Sequence, residues 1–339
     1  MDTGKVTIHD IARRLNIDSS TVSRALNDSP RVSQKTKDKI SEMAQSMGYQ
    51  RNLMASNLRK NVSNSIGVVV PRISRHFFSS VIQGIEETAY NTGYSVFICQ
   101  SLEELERERN IIKTLVANRV DGVLISISME TSNYDHFQLL NKQGVPYVFF
   151  DRHCDIVGNN NVIINDFKGG YDATKHLISK GCKSIIHFSG PGHLEIYKNR
   201  LGGYKEALID SGFPFKEEHV ISSKLMESDG IGIIKSLLEK GVEFDGIFCA
   251  NDHVAIGAIK FMNNLGIKIP EEVAIVGFNN EPVSNVITPS LTTIHQPGFE
   301  MGIKAAELLI KNMKNQNGIF TSETIMMDTN LIERNSSRR

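Results

Sequence analysis

A short stretch near the N-terminus places small polar side chains on the outer face of a helix. Within residues 19–27, Val22, Ala25 and Leu26 fall on one face, while hydroxyl-bearing side chains and Arg24 fall on the other. Short hydroxyls allow close approach to base edges, and a guanidinium can reach O6 and N7 of guanine. The pattern therefore predicts a helix that recognises bases in the major groove of DNA. The residues assigned to it are Thr7, Ser19, Ser20, Thr21, Ser23, Arg24 and Asn27.

A second set of side chains recurs just past the ends of predicted strands. In parallel sheets these positions lie at the carboxyl edge, where ligands bind. Aromatic rings stack on the C–H faces of a sugar, and carboxamide, carboxylate and guanidinium groups bind its hydroxyls. The candidate residues for binding a small-molecule effector, such as a carbohydrate, are Phe77, Phe78, Ser128, Arg152, Asn165, Asp166, Arg200, Asp252 and Asn279.

Several of these residues also have a structural interpretation. Phe77 and Phe78 are alternatively core residues that open a helix. Asp252 is alternatively the cap of the helix that follows it, and Arg152 the partner of a carboxylate across the cleft. His295 is expected to hold a strand in place rather than to bind a ligand.

Three short helices would position the residues that face DNA. Apolar residues at i, i+3, i+4 and i+7 from Ile8 predict the first helix, and Thr7 with Asp10 forms a variant of the capping box before it. Asp18 is expected to cap the second helix, and Ser33 opens a third. This arrangement matches a helix-turn-helix. The alternative is a small helical hairpin whose polar face is merely solvated.

Charge is distributed unevenly along the chain. Residues 1–60 carry 11 Lys and Arg against 6 Asp and Glu, a net charge of +5, whereas the remaining residues carry 27 against 32. The net charge of the whole chain is therefore zero, although residues 1–60 are basic and residues 61–339 are acidic. This asymmetry is expected of a nucleic-acid-binding end and favours the DNA-binding interpretation of the helices.

From residue 65 onwards, short apolar runs alternate with longer amphipathic segments. Strands that alternate with helices of this length predict parallel sheets made of βαβ units. About eight such units are too many for one small sheet, so we expect two lobes with a ligand cleft between them. The predicted strands cover residues 66–70, 95–99, 122–126, 147–150, 162–164, 184–188, 246–249 and 273–277. The predicted helices cover residues 78–92, 103–118, 134–142, 168–180, 198–211, 229–239, 253–265 and 299–313.

Composition and motifs exclude several classes of protein. The chain has 339 residues, enough for two or three domains, and no apolar run of the length that a membrane span needs. The N-terminus carries no apolar signal stretch, and the four dispersed cysteines are expected to be reduced thiols of a cytoplasmic protein. No G-x-S-x-G, H-E-x-x-H or paired Cys/His spacing occurs, so no enzyme activity, metal or cofactor is predicted.

The head sequence has a specific resemblance. TIHDIARRLNIDSSTVSRALN, followed by RVSQKTKDKISEMAQSMGYQRNLMASNLR, resembles the head and hinge of the lactose-repressor (LacI/GalR) family of bacterial transcription regulators. The similarity continues through SIGVVVPRISRHFFSSVIQGIE, VDGVLIS, FCANDHVAIGAI and PSLTTIHQP, and it covers residues 5–333. It implies an N-terminal all-α helix-turn-helix head and an α/β core of the two-lobed periplasmic-binding-protein type I fold, with doubly wound parallel sheets.

The resemblance also implies domain boundaries and a hinge. The head would span residues 1–51, the hinge helix and linker 52–64, and the effector-binding core 65–339, with one lobe at 65–164 and 297–324 and the other at 165–296 and 325–339. Ala55, Asn57 and Leu58 would contact DNA, with Leu58 wedged into the minor groove. Leu58 is alternatively an ordinary apolar residue at a domain junction. Arg51 stands where the family usually has Pro.

Several cleft residues match effector-contacting positions of the family. These are Phe77, Phe78, Ser128, Arg200 and Asn279, and Leu225 falls on a cleft-lining position. Many members have Asp at the position of Asn279. The Asp carboxylate only accepts hydrogen bonds, whereas the Asn carboxamide both donates and accepts, so the preferred ligand is expected to differ.

The expected function is that of a homodimeric transcription regulator, most simply a repressor. It would bind a pseudo-palindromic operator in double-stranded DNA, and a sugar or sugar derivative between its lobes would control its operator affinity. A nucleobase or a protein corepressor is an alternative effector. Two rivals from other classes are a sugar-binding transport protein and a sugar- or nucleotide-processing enzyme on a doubly wound fold.

Overall fold

The chain folds into two compact units, which divide between residues 63 and 64. The computed structural model describes residues 6–49, 63–154, 159–314 and 322–339. The predicted hinge contacts of Ala55, Asn57 and Leu58 lie outside the described residues. No helix within the described ranges is long and apolar enough to cross a membrane.

The described part of the first unit, residues 6–49 and 63, contains three helices. They are α1 (Ile8–Leu15), α2 (Ser19–Leu26) and α3 (Gln34–Ser46). The backbone N–H and hydroxyl of Thr7 both donate to the carboxylate of Asp10, at 2.9 and 2.6 Å, which forms the predicted capping box. Asp18 accepts a hydrogen bond from the backbone N–H of Ser20 at 2.7 Å, and Ser33 caps α3. The predicted helix starts are therefore confirmed, and Ile11, Val22 and Ile40 form the centre of the small core.

The second unit contains two six-stranded sheets. The first holds β1 (Ser65–Val70), β2 (Ser95–Gln100), β3 (Gly122–Ile125), β4 (Tyr147–Phe150), β5 (Asn160–Ile164) and β11 (Thr324–Met327). Its strand order is β11-β5-β4-β3-β1-β2, and every pairing is parallel. The second holds β6 (Ile185–Ser189), β7 (Val220–Ser222), β8 (Gly246–Cys249), β9 (Ala274–Asn279), β10 (Thr292–His295) and β12 (Asn330–Ile332). Its order is β12-β10-β9-β8-β6-β7, and only β12 pairs in the antiparallel sense among the described strands.

Within the described ranges of the second unit, eight helices pack around these sheets. They are α4 (His76–Asn91), α5 (Leu105–Ala117), α6 (Gln138–Lys142), α7 (Asp166–Ser179), α8 (Glu195–Asp210), α9 (Glu227–Glu239), α10 (Asp252–Asn264) and α11 (Gly298–Lys314). Short 3-10 turns add Asp135–Phe137, Glu217–His219, Pro282–Asn285 and Asn335–Ser337. The predicted fold class is confirmed: an all-α head is joined to an α/β core of two sheets in which parallel pairing dominates.

The chain passes between the two sheets three times. It leaves the first sheet after β5, returns after β10, and leaves again between β11 and β12. The crossing predicted near residue 325 lies slightly later, because Ile325 and Met327 pair with Val162 and Ile164 in the first sheet. This crossing lies at residues 328–329.

Two glycines bring α7 and α8 into backbone contact. A Cβ atom at Gly170 would lie 2.2 Å from the carbonyl oxygen of Arg200, and one at Gly203 would lie 2.0 Å from the carbonyl oxygen of Phe167. Only residues without a side chain fit at these points. The crossing therefore holds the backbone of Arg200 directly against α7, whose first residue is Asp166.

Candidate functional site

A cavity of about 430 Å³ lies between the carboxyl ends of the two sheets. Its volume falls within the range of about 300–1,000 Å³ that is usual for small-molecule sites. The first lobe contributes Arg72, Arg75, Phe77, Phe78, Leu102, Glu103, Glu104, Met129, Glu130, Asp151 and Arg152. The second contributes Pro191, Ile196, Tyr197, Arg200, Lys224, Met226, Asn251, His253, Asn279 and Glu281.

Five of the predicted effector residues line this cavity. They are Phe77, Phe78, Arg152, Arg200 and Asn279. The two phenylalanine rings meet edge to face with centroids 5.2 Å apart, and each ring is only about one-twentieth exposed. Both interpretations of these rings therefore apply: they belong to a buried hydrophobic cluster and also form part of the cavity wall.

Arg200 is held from three sides. Its Nε donates to Asp166 at 2.8 Å, and its Nη1 donates to the carbonyl oxygen of Ala250 at 2.7 Å. The guanidinium carbon lies 3.7 Å from the centroid of the Phe278 ring, which suits a cation–π contact. Burial raises the pKa of Asp166 to about 6, although Arg200 acts in the opposite direction. Asp166 therefore positions Arg200 and is not itself part of the cavity lining.

Arg152 pairs with a carboxylate of its own lobe. Its Nη1 donates to Glu103 at 2.7 Å, and both side chains are largely buried. Burial opposes the charge of Arg152, but the neighbouring Glu103 outweighs it, so the pKa of Arg152 is raised. The proposed pairing across the cleft is wrong, because Glu103 follows β2 in the same sheet as Arg152.

Three predicted residues lie behind the cavity wall. Ser128 is fully buried and bonds to Thr131 through its hydroxyl and to Glu108 through its backbone N–H, both at 2.7 Å. Asn165 caps α7 by accepting from the backbone N–H of Lys168. Leu225 is fully buried, although its two chain neighbours line the cavity.

Asp252 also lies behind the wall, with a role that neither sequence-based interpretation describes. Its carboxylate accepts hydrogen bonds from the backbone N–H of Glu281 (2.7 Å) and from the hydroxyls of Ser284 (2.8 Å) and Thr293 (2.6 Å). Asn251, not Asp252, caps α10. Burial raises the pKa of Asp252 to about 7. The residue thus ties α10 to β10 and to the loop after β9.

Several cavity residues are not among those predicted from the sequence. Glu103 follows β2, so the strand-end rule identifies it when that strand is included. Met226 follows β7, whose three residues are too few for a recognisable pattern. Tyr197 lies three positions before Arg200 on α8, and no local sequence signal marks it.

Several contacts among the described residues join the two lobes around the cavity. Nη2 of Arg75 lies 3.3 Å from the sulfur of Met226, and the backbone N–H of His76 donates to Glu281 at 3.4 Å. His193 bonds to the carbonyl oxygen of Met129 at 2.8 Å. Each of these contacts joins the first lobe to the second.

In the head, α2 has the two faces that its sequence predicts. Val22 and Ala25 are buried, whereas Arg24 is exposed. Asn27 donates through its side chain to the carbonyl oxygen of Ser23, so part of its hydrogen-bonding capacity is used locally. The other assigned residues are exposed at Thr7 and Ser20 and half-buried at Ser19, Thr21 and Ser23.

Two family models match the chain. Residues 7–52 match bacterial regulatory proteins of the lacI family, and residues 63–333 match the periplasmic binding proteins and sugar binding domain of the LacI family. These matches agree with the division of the structure into a helical head and a two-sheet core.

Similar proteins include two repressors. The HTH-type transcriptional repressor PurR of Actinobacillus pleuropneumoniae serotype 3 (strain JL03) is 30% identical over 332 residues, which are 98% of both chains. The ribose operon repressor of Halalkalibacterium halodurans is 32% identical over 311 residues, which are 91% of both chains.

Two solved structures also resemble the chain. A periplasmic binding protein/LacI transcriptional regulator from Alkaliphilus metalliredigens QYMF, complexed with D-xylulofuranose, is 30% identical with a TM-score of 0.71, and the match covers 82% of this chain and all of that one. The Lac repressor dimer bound to operator and the anti-inducer ONPF has a TM-score of 0.86 at 23% identity, covering 98% and 99% of the two chains. The chain therefore belongs to the LacI family of bacterial regulatory proteins, which are effector-controlled transcription regulators and not enzymes.

Proposed function

We propose that the chain is a homodimeric repressor whose affinity for a pseudo-palindromic operator is controlled by a sugar or sugar derivative bound between its lobes. The observation that carries this proposal is the cavity, where Phe77 and Phe78 face Arg200 and Asn279 from opposite lobes. Rings supply stacking surfaces, and guanidinium and carboxamide groups supply donors for hydroxyls. Such a regulator would act in the cytoplasm, where it meets DNA.

Relatives support a carbohydrate effector. The matched family model describes a sugar binding domain, one relative is a ribose operon repressor, and one similar structure holds D-xylulofuranose. The similarity to PurR keeps a nucleobase as the second candidate. A transport protein would have no use for the basic helical head, and this argues against that rival.

The proposed control acts through the angle between the lobes. An effector that binds one arrangement about 100-fold more tightly than the other supplies about 2.7 kcal/mol of coupling, which is within the usual range. The contacts of Arg75 with Met226 and of His76 with Glu281 would differ between the two arrangements. This coupling lets the effector either lower or raise the affinity for the operator, depending on which arrangement of the lobes it binds.

A ligand screen followed by an operator assay tests the proposal. Thermal shift with D-ribose, D-xylulose, cellobiose and hypoxanthine would identify compounds that bind the native state and raise its melting temperature. An operator selected from random duplexes would then be titrated in gel shifts with and without each compound. Failure to bind any duplex in low salt, or a monomer at all concentrations, would contradict the proposal.

Arg24→Ala is expected to relax the base preference at one operator position in each half-site. The exposed guanidinium at this position on α2 can make a bidentate contact worth about 1–3 kcal/mol of discrimination. Selection from randomised duplexes measures the preference. Arg13→Ala is the matched control, because Arg13 is equally basic but lies on α1 beside Asp10. An unchanged base preference in Arg24→Ala would remove Arg24 from base recognition.

A further inference from the structure

Arg75 is a cation of the cavity wall with only a weak partner. Its Nη2 contacts the sulfur of Met226 at 3.3 Å, and a thioether is a weak acceptor. Within the described residues no ion pair joins Arg75 to a carboxylate. Burial lowers the pKa of Arg75, while the charge of Glu281 acts in the opposite direction. A half-buried guanidinium of this kind is stabilised by an anion that reaches it.

Two carboxylates of the wall, Glu103 and Glu281, contact groups other than Arg75. Glu103 accepts from Arg152 and from the backbone N–H of Met129 at 2.8 Å. Glu281 accepts from the backbone N–H of His76, and its carboxylate lies 3.7 Å from Nε2 of His253. Neither carboxylate forms an ion pair with Arg75 among the described residues, and Arg75 lines the cavity.

Two further arginines of the wall, Arg152 and Arg200, have donors without an acceptor in the described part of the chain. Nη1 of Arg152 donates to Glu103 and to the carbonyl oxygen of Ile127, but its buried Nε has no partner among the described residues. Nε of Arg200 donates to Asp166, and its Nη1 donates to the carbonyl oxygen of Ala250. A guanidinium carries five N–H donors, so both side chains keep donors that a ligand can use. The wall also carries the carboxylates of Glu103, Glu104, Glu130, Asp151 and Glu281, so a ligand meets both donors and acceptors there.

We propose that the effector is an anionic sugar derivative whose carboxylate or phosphate binds Arg75, while its hydroxyls bind the remaining polar groups of the wall. A neutral sugar would leave Arg75 in the closed cleft with only a thioether partner. This inference rests on the proposed function, because it assumes that the cavity is the effector site.

The first test measures an anion site directly with inorganic phosphate as the probe. Phosphate is expected to raise the melting temperature of the wild type more than sodium chloride of equal ionic strength does. Arg75→Gln should lose that difference, because a charge-assisted hydrogen bond contributes about 10- to 100-fold in affinity. Arg109→Gln is the control, since Arg109 lies outside the cavity and pairs with Glu106. An equal phosphate effect in all three proteins would overturn the proposal.

The second test compares D-ribose, D-ribonate and D-ribose 5-phosphate by calorimetry. These compounds share a carbon chain and differ in whether they carry no anion, a carboxylate or a phosphate. An anionic member should bind at least about 10-fold more tightly than D-ribose, and Arg75→Gln should remove that advantage. The anion that binds more tightly shows whether the site prefers a carboxylate or a phosphate. If D-ribose binds best, the inference fails while the proposed sugar effector stands.

Operator binding separates this inference from the proposed function. Gel shifts without added ligand test the repressor role alone, so a protein that binds its operator but prefers neutral sugars refutes only the anionic effector. If none of the three compounds binds, the phosphate comparison between wild type and Arg75→Gln decides the matter.

Discussion

Replacing Arg200 with methionine is expected to abolish sugar binding in the cleft and to lower the free energy of unfolding by about 3–5 kcal/mol. Both effects follow from one contact. Arg200 lines the cavity, and its Nε is the partner of the Asp166 carboxylate, with both side chains less than one-twentieth exposed. Without the guanidinium, Asp166 would be a buried acid with no compensating charge.

A double variant separates the two effects. Asp166→Asn together with Arg200→Met removes both charges, so most of the lost stability should return while ligand binding stays absent. Urea unfolding gives the stability, and calorimetry with the sugar that binds the wild type gives the affinity. Normal sugar affinity in Arg200→Met would place the effector site elsewhere, and an unchanged midpoint would mean that the ion pair contributes little.

Asp252→Ala is expected to destabilise the core by about 3–5 kcal/mol, although Asp252 does not line the cavity. Its loss would leave three buried donors without an acceptor, at about 1–3 kcal/mol each before partial compensation. These donors are the N–H of Glu281 and the hydroxyls of Ser284 and Thr293. Urea unfolding again measures the change, and a loss below about 1 kcal/mol would contradict the assigned role.

Asp252→Asn gives this prediction a pH dependence with a definite sign. The pKa of Asp252 is raised to about 7 from an ordinary value of 3.8, so the folded protein holds this proton more tightly than the unfolded chain does. The resulting stability is complete below about pH 4 and is lost as the pH rises through 7. The wild type should therefore lose stability relative to Asp252→Asn across that interval, and a constant difference would refute the raised pKa.

Local features were predictable from the sequence because their partners lie within a few residues. The bonds of Thr7 with Asp10 and of Asp18 with Ser20 span three and two positions. Apolar periodicity likewise identified the longer strands and the helices. The edge strands β7, β11 and β12 have only three or four residues, and their half-exposed patterns resemble those of loops.

Partner choice within the site was not predictable, because it depends on distant parts of the chain. Asp166 and Arg200 were assigned to the ligand separately, yet they bind each other across 34 positions. The strand-end rule places a residue at the correct edge of the sheet but does not say which way its side chain turns. Phe77 faces the cavity, whereas Asp252 turns away towards β10.

The three passages of the chain between the sheets limit how effector specificity can be exchanged among relatives. The last segment supplies β11 to one sheet and β12 to the other, so each lobe is assembled from separate stretches of sequence. A chimaera joined at a single point near residue 165 would mix strands of two parents within one lobe. Transplanting an intact lobe requires several junctions, and the C-terminal strands must travel with the lobes they complete.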